Sequence, residues 1–137
     1  MGIYDVTLTD NEIELYEELD QKVESNGGSL NGLEDDERIA IDNLNSRISK
    51  IGDLYNHLSS LKGPSNAEVV YLNRYKTILE RTNRIHAKFL SPEKINMVCS
   101  YLSEKESVLP ASGLLWLNAL RERQQEITKS NSEKGLS

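Results

Sequence analysis

The chain has 137 residues and a formal charge of −6, with 37% hydrophobic and 28% charged residues. That length suits one domain with a modest core, and the low apolar share favours helices carrying one apolar stripe each over a sheet buried on both faces. A single cysteine excludes an internal disulfide framework, and no apolar run approaches the ~20 residues that cross a bilayer.

The start, Met-Gly-Ile-Tyr-Asp, lacks the basic and apolar regions of a signal peptide, so the expected location is cytoplasmic. A first helix is predicted from near Asp10, because Thr9 and Glu12 have the spacing of a capping box. Ile13, Tyr16, Leu19 and Val23 recur along it at helical spacing, and Leu15 widens the stripe. Asn26-Gly27-Gly28 ends it, since glycine reaches the left-handed conformation cheaply.

The second helix has the clearest pattern. Ile41, Leu44, Ile48, Ile51, Tyr55 and Leu58 form a heptad seam, flanked by Leu54 and Leu61. The run Glu34-Asp35-Asp36-Glu37 stands at its start, where carboxylates favour the positive end of the helix dipole, and Gly63-Pro64 closes it.

Ser65 and Glu68 repeat the capping-box spacing and open a third helix over about 66–90. Its stripe is broad: Tyr71, Leu72, Tyr75, Ile78, Leu79, Ile85 and Phe89 supply two interleaved series, enough for two neighbours. A shorter helix follows Ser91-Pro92 with Ile95, Val98, Cys99 and Leu102 on one face. After Leu109-Pro110 comes a last helix with Leu114, Trp116, Leu117, Leu120 and Ile127. The expected organisation is one helical domain over 1–128 and a polar, disordered tail over 129–137. The fold class is all-α: an elongated antiparallel bundle or coiled coil of about three long helices and one or two shorter ones.

Chemistry is poorly signalled. His57, His86 and Cys99 are the only nucleophile, base or soft-ligand candidates, and they are scattered, with no Cys-x-x-Cys or His-x-x-x-His spacing. Structural or incidental roles are expected for all three, because catalysis needs convergent geometry. Asn26-Gly27-Gly28-Ser29 lacks the Gly-Lys-Ser/Thr of a phosphate loop. No catalytic residue, cofactor or metal is expected, and the chain reads as a non-enzyme.

Charge is unevenly placed. Residues 1–37 hold 12 acidic residues and one basic, Lys22, for −11; residues 38–137 hold 10 acidic and 15 basic, for +5. Arg74, Arg81 and Lys88 recur every seven residues and share a face of the third helix. That face either pairs with the acidic first helix or docks an acidic partner. The acidic total and the lack of aromatics interleaved on it argue against nucleic acid.

In order, Leu15, Leu19, Lys22-Val23-Glu24 and Gly27-Gly28; then Ile48-Ser49-Lys50-Ile51, Leu54-Tyr55 and Leu58; then Arg74-Tyr75-Lys76-Thr77-Ile78-Leu79-Glu80 make three helical segments. With Ser107-Val108-Leu109-Pro110, Leu114, Leu117, Leu120 and Gln124-Gln125-Glu126-Ile127-Thr128, the succession resembles the family of the smallest coiled-coil shoulder-and-arm subunits of dynactin. The resemblance implies a non-enzymatic, cytoskeleton-associated subunit in dynein-based microtubule transport, sharing helical bundles with two larger coiled-coil subunits.

The expected function is thus a scaffold subunit whose partners are other helical chains in a hetero-oligomer. Ile41, Leu44, Ile48, Ile51, Tyr55 and Leu58 form its interface or core seam, opposed by Tyr71, Tyr75, Ile78 and Phe89. The alternative is a regulatory three-helix domain of a vesicle-fusion (SNARE) or tethering protein, which closes on itself as a monomer. A small helical enzyme ranks third.

Overall fold

The computed structural model describes residues 4–135, with side chains to residue 130. Five helices follow one another: α1 (Asp10–Ser25), α2 (Asp35–Ser59), α3 (Asn66–Phe89), α4 (Pro92–Glu104) and α5 (Ala111–Gly135). Among the described residues no strand occurs, and the fold is all-α.

Local chemistry sets the boundaries. At α1 the Glu12 amide donates to the Thr9 hydroxyl (3.2 Å) and the Thr9 amide donates to the Glu12 carboxylate (3.0 Å). Ser65 and Glu68 make the same reciprocal pair at α3, and the Glu34 amide donates to Glu37 at α2. Each such cap satisfies amides that have no partner inside the helix. α4 begins on Ser91, whose hydroxyl accepts from the Lys94 amide, with Pro92 in the first turn, where its fixed φ suits a helix. Gly27 and Gly28, at φ 69° and 84°, turn the chain out of α1 as the Asn26-Gly27-Gly28 run predicts. The last helix extends beyond the Lys129 boundary of the expected tail, as backbone to Gly135; Leu136 and Ser137 lie outside the described residues.

Side-chain pairs give the helix directions. Lys22 meets Glu37 and Arg47 meets Glu12, so positions climbing α1 meet positions descending α2, and the two are antiparallel. Between α1 and α3 the order is parallel: Asp10 pairs with Arg81 and Glu17 with Lys88. One sequence offset, 71, separates both pairs, and it also separates the Tyr75 hydroxyl from the Tyr4 carbonyl to which it donates. Not every neighbour is therefore antiparallel, because an up-down-up chain brings its first and third helices together pointing the same way. α5 runs alongside α3, with Arg84 facing Glu122, and α4 packs back on α5 through Arg121, which bonds Ser103 and Glu106.

Two cores result. The larger joins α1, α2 and α3 through Ile13, Tyr16, Leu19, Ile41, Leu44, Ile51, Tyr55, Leu58, Tyr75, Ile78 and Leu79, with Leu8 and Leu33 closing its ends. Ala111 and Leu115 of α5 pack against its side. The smaller joins the end of α3 to α4 and α5 through Ala87, Leu90, Ile95, Cys99, Leu117 and Leu120.

Candidate functional site

The α2 seam lies inside the chain's own larger core. Ile41, Leu44, Ile51, Tyr55 and Leu58 are buried, and Ile48 is half-buried against them. A seam offered whole to other chains is thus not what the fold presents: α1 and α3 already cover it. The surface expected to oppose it divides. Tyr75 and Ile78 are buried, whereas Tyr71 and Phe89 are half-buried, Phe89 beneath the Lys88 ammonium.

What covers Tyr71 and Tyr75 is the segment before α1, to which sequence periodicity assigns nothing. The Tyr4 ring stacks on Tyr71 with centroids 4.9 Å apart, and the Tyr75 hydroxyl donates to the Tyr4 carbonyl at 2.9 Å. Leu8 is buried, and Arg47 of α2 donates to the Thr7 carbonyl while also pairing with Glu12. A buried tyrosine hydroxyl needs such a partner, so this segment is anchored by both polar and apolar contacts.

The basic heptad face of α3 points largely at acidic α1. Arg81 contacts Asp10 at 2.6 Å and Lys88 contacts Glu17 at 3.5 Å, while the Arg74 guanidinium stacks over Tyr71. These pairs are exposed and contribute little stability, but they neutralise the face inside the molecule. Of the two readings open in the sequence, internal pairing accounts for Arg81 and Lys88.

His57 is exposed, and Cys99 is buried with its thiol donating to Gln124 at 3.3 Å. His86 has a different setting. Its Nδ1 lies 3.0 Å and 3.2 Å from the two carboxylate oxygens of Asp20, and Asp20 is only 6% exposed. The indole of Trp116 on α5 packs on the imidazole, centroids 5.5 Å apart. Glu24, one turn beyond Asp20 on the same face of α1, completes the group: one ligand atom from each of Asp20, Glu24 and His86 lies within 4.8 Å of the others. The hydrogen bond to Asp20 raises the His86 pKa above its ordinary value, against the opposing effect of burial. In the same region, burial lifts the Tyr16 phenol far above its usual range, which keeps it neutral.

Three helices build this site, and spacing could not reveal it, because Asp20 and His86 are 66 positions apart. The available signal was slight: an aspartate beside Leu19 and Val23 on an apolar stripe, and a histidine at the edge of another. The carboxylates and imidazole can exchange a proton or ligate a cation; a nucleophile next to them is not among the described contacts. No protein-family model matches this chain, and the curated proteins and solved structures likewise yield no match to it.

Proposed function

We propose that the protein is a non-enzymatic subunit that binds helices of other chains through the outer face of α4, as part of a larger helical assembly. One observation carries this reading. Met97 and Tyr101 lie one turn apart on α4, opposite its buried residues Ile95 and Cys99, and remain 65% and 58% exposed. Val108, just beyond α4, is 77% exposed. Single exposed apolar residues are ordinary, whereas neighbouring ones on one helix face suit the apolar stripe of another helix. Lys105 lies over the Tyr101 ring at 5.1 Å and gives the patch a polar rim.

The seam of α2 then serves as the frame that holds this face, and the shared coiled coil is made by α4 and its partner. The dynactin resemblance names chains to look for, the two larger coiled-coil subunits of that assembly. Affinity purification at native expression, with identification of the recovered chains, tests the reading against the double variant Met97→Asp/Tyr101→Asp. The expected result is a fixed set of helical partners that the variant loses while its melting temperature stays unchanged. Retention of the same partners by the variant overturns the role of α4.

The closure of the α1–α3 core favours a second reading, a regulatory three-helix domain of a vesicle-fusion or tethering protein. Sedimentation of the isolated chain together with the recovered partners separates the two. A stable complex of fixed stoichiometry supports the shared assembly; a compact monomer that joins no helical chain supports the regulatory domain.

A further inference from the structure

We propose that Asp20, Glu24 and His86 form a binding site for a divalent first-row transition-metal ion of the zinc class, tying α1 to α3 beneath Trp116. The donor set argues for the class. One imidazole nitrogen and two carboxylates suit zinc, cobalt or nickel; magnesium and calcium prefer all-oxygen cages, and copper(I) prefers sulfur.

Geometry argues for the place. Donors bound to zinc at about 2.0–2.1 Å in a tetrahedron are a little over 3 Å apart. The His86 Nδ1 and Asp20 oxygens are already 3.0–3.2 Å apart, and Glu24 needs only a small side-chain movement to complete three ligands. The frame is firm, since Leu19, Thr82 and Ala87, next to or one turn from the ligands, are each 2% exposed or less. Trp116 fixes the ring plane from the third side.

Charge supplies an independent reason. Two carboxylates one turn apart, one of them buried and the other half-exposed, repel each other, and the His86 imidazolium offsets only part of their charge, with the Lys94 ammonium near enough to act on His86. A divalent ion matches both. On binding, the Nδ1 lone pair passes from its proton to the metal and one proton is released to solvent, so charge and atoms balance. Solvent completes the coordination on the half-exposed side of His86 and Glu24.

Trp116 is the chain's only tryptophan, which makes the site self-reporting. Cobalt(II) has an open d shell and quenches a nearby indole, whereas closed-shell zinc does not. Titrating the full chain with cobalt(II) while following tryptophan emission should give saturable quenching that zinc competes away. Glu24→Gln should weaken the apparent affinity by about tenfold or more, the least expected for a ligand when outer-shell partners already cost that much. His86→Gln should abolish quenching, and His57→Gln should leave it unchanged. Circular dichroism checks each variant's fold, and half-exposed Glu24 keeps the test decisive should the His86 variant unfold. Absence of saturable quenching, or equal quenching in Glu24→Gln and the unaltered chain, overturns the site.

Discussion

The two cores differ in how much of each apolar stripe the chain covers with its own residues. In the α1–α3 core every helix has neighbours on two sides, and the N-terminal segment seals the remaining tyrosine face. In the α4–α5 core, α4 touches its neighbours along one side and leaves Met97 and Tyr101 outside. Hydrophobic stabilisation scales with area removed from water, so the first core holds most of the folding free energy. The second is the region expected to open locally at small cost to the rest. A fold can thus bury its strongest seam for stability and leave the outer face of its least covered helix in water.

The largest test strikes the strong core. Ile51, fully buried at the centre of the α2 seam, should not tolerate aspartate. An unpaired buried carboxylate costs several kcal/mol, about 4 or more, a large part of a small domain's stability. Ile51→Asp should therefore lose the helical circular dichroism of the whole chain. Leu120→Ala strikes the weaker core, where the lost methyl groups and the cavity cost about 3 kcal/mol. Here the effect should be local: hydrogen exchange in α4 accelerates and Trp116 emission shifts, while α1 and α2 keep their protection. Equal loss of protection in both regions would show that the two cores unfold as one and would end the comparison. Smaller again is Ser91→Ala, which removes the α4 cap for about 1 kcal/mol and should fray only that helix by the same exchange measurement.

Legibility in the sequence follows the range of the interaction. The caps at Thr9 and Ser65, the Ser91-Pro92 start of α4 and the glycine exit of α1 involve residues a few positions apart, so the sequence reveals them. The α2 seam is periodic, and its burial was equally readable; what covers it was not. Heptad spacing states that a stripe must be buried and is silent on whether another chain or this one buries it. Sealing by residues 4–9 escaped because a segment outside any helix has no helical period to detect. The Asp20–His86 pair escaped because the register of α1 on α3 arises only when the whole bundle packs. The length of α5 escaped too: its polar last turns carry no stripe, which is how a frayed tail also looks in sequence.

The subtlest test compares ion pairs in the two regions. Arg47 and Glu12 join α1 to α2, each side chain somewhat under a third exposed, and the Arg47 hydrogen bond holds the Glu12 carboxyl at about 2. Arg121 and Glu106 join α5 to the end of α4, and the Arg121 hydrogen bond also lowers the Glu106 pKa. A carboxyl whose folded pKa is depressed contributes stability above its ordinary pKa near 4.5 and loses it as pH falls toward the folded value. Melting temperature should accordingly decline between pH 4.5 and 2. Arg47→Met should flatten that decline by an amount on the order of 1 kcal/mol, the upper range for a partly screened pair. Arg121→Met should flatten it less, because the Arg121–Glu106 pair is the more solvated and joins the core that carries less of the stability. The pH slope is the proper readout, since Arg47→Met also removes the hydrogen bond to the exposed Thr7 carbonyl, a loss that is the same at every pH. Equal slopes in the two variants would mean that acid sensitivity does not follow the division between the cores.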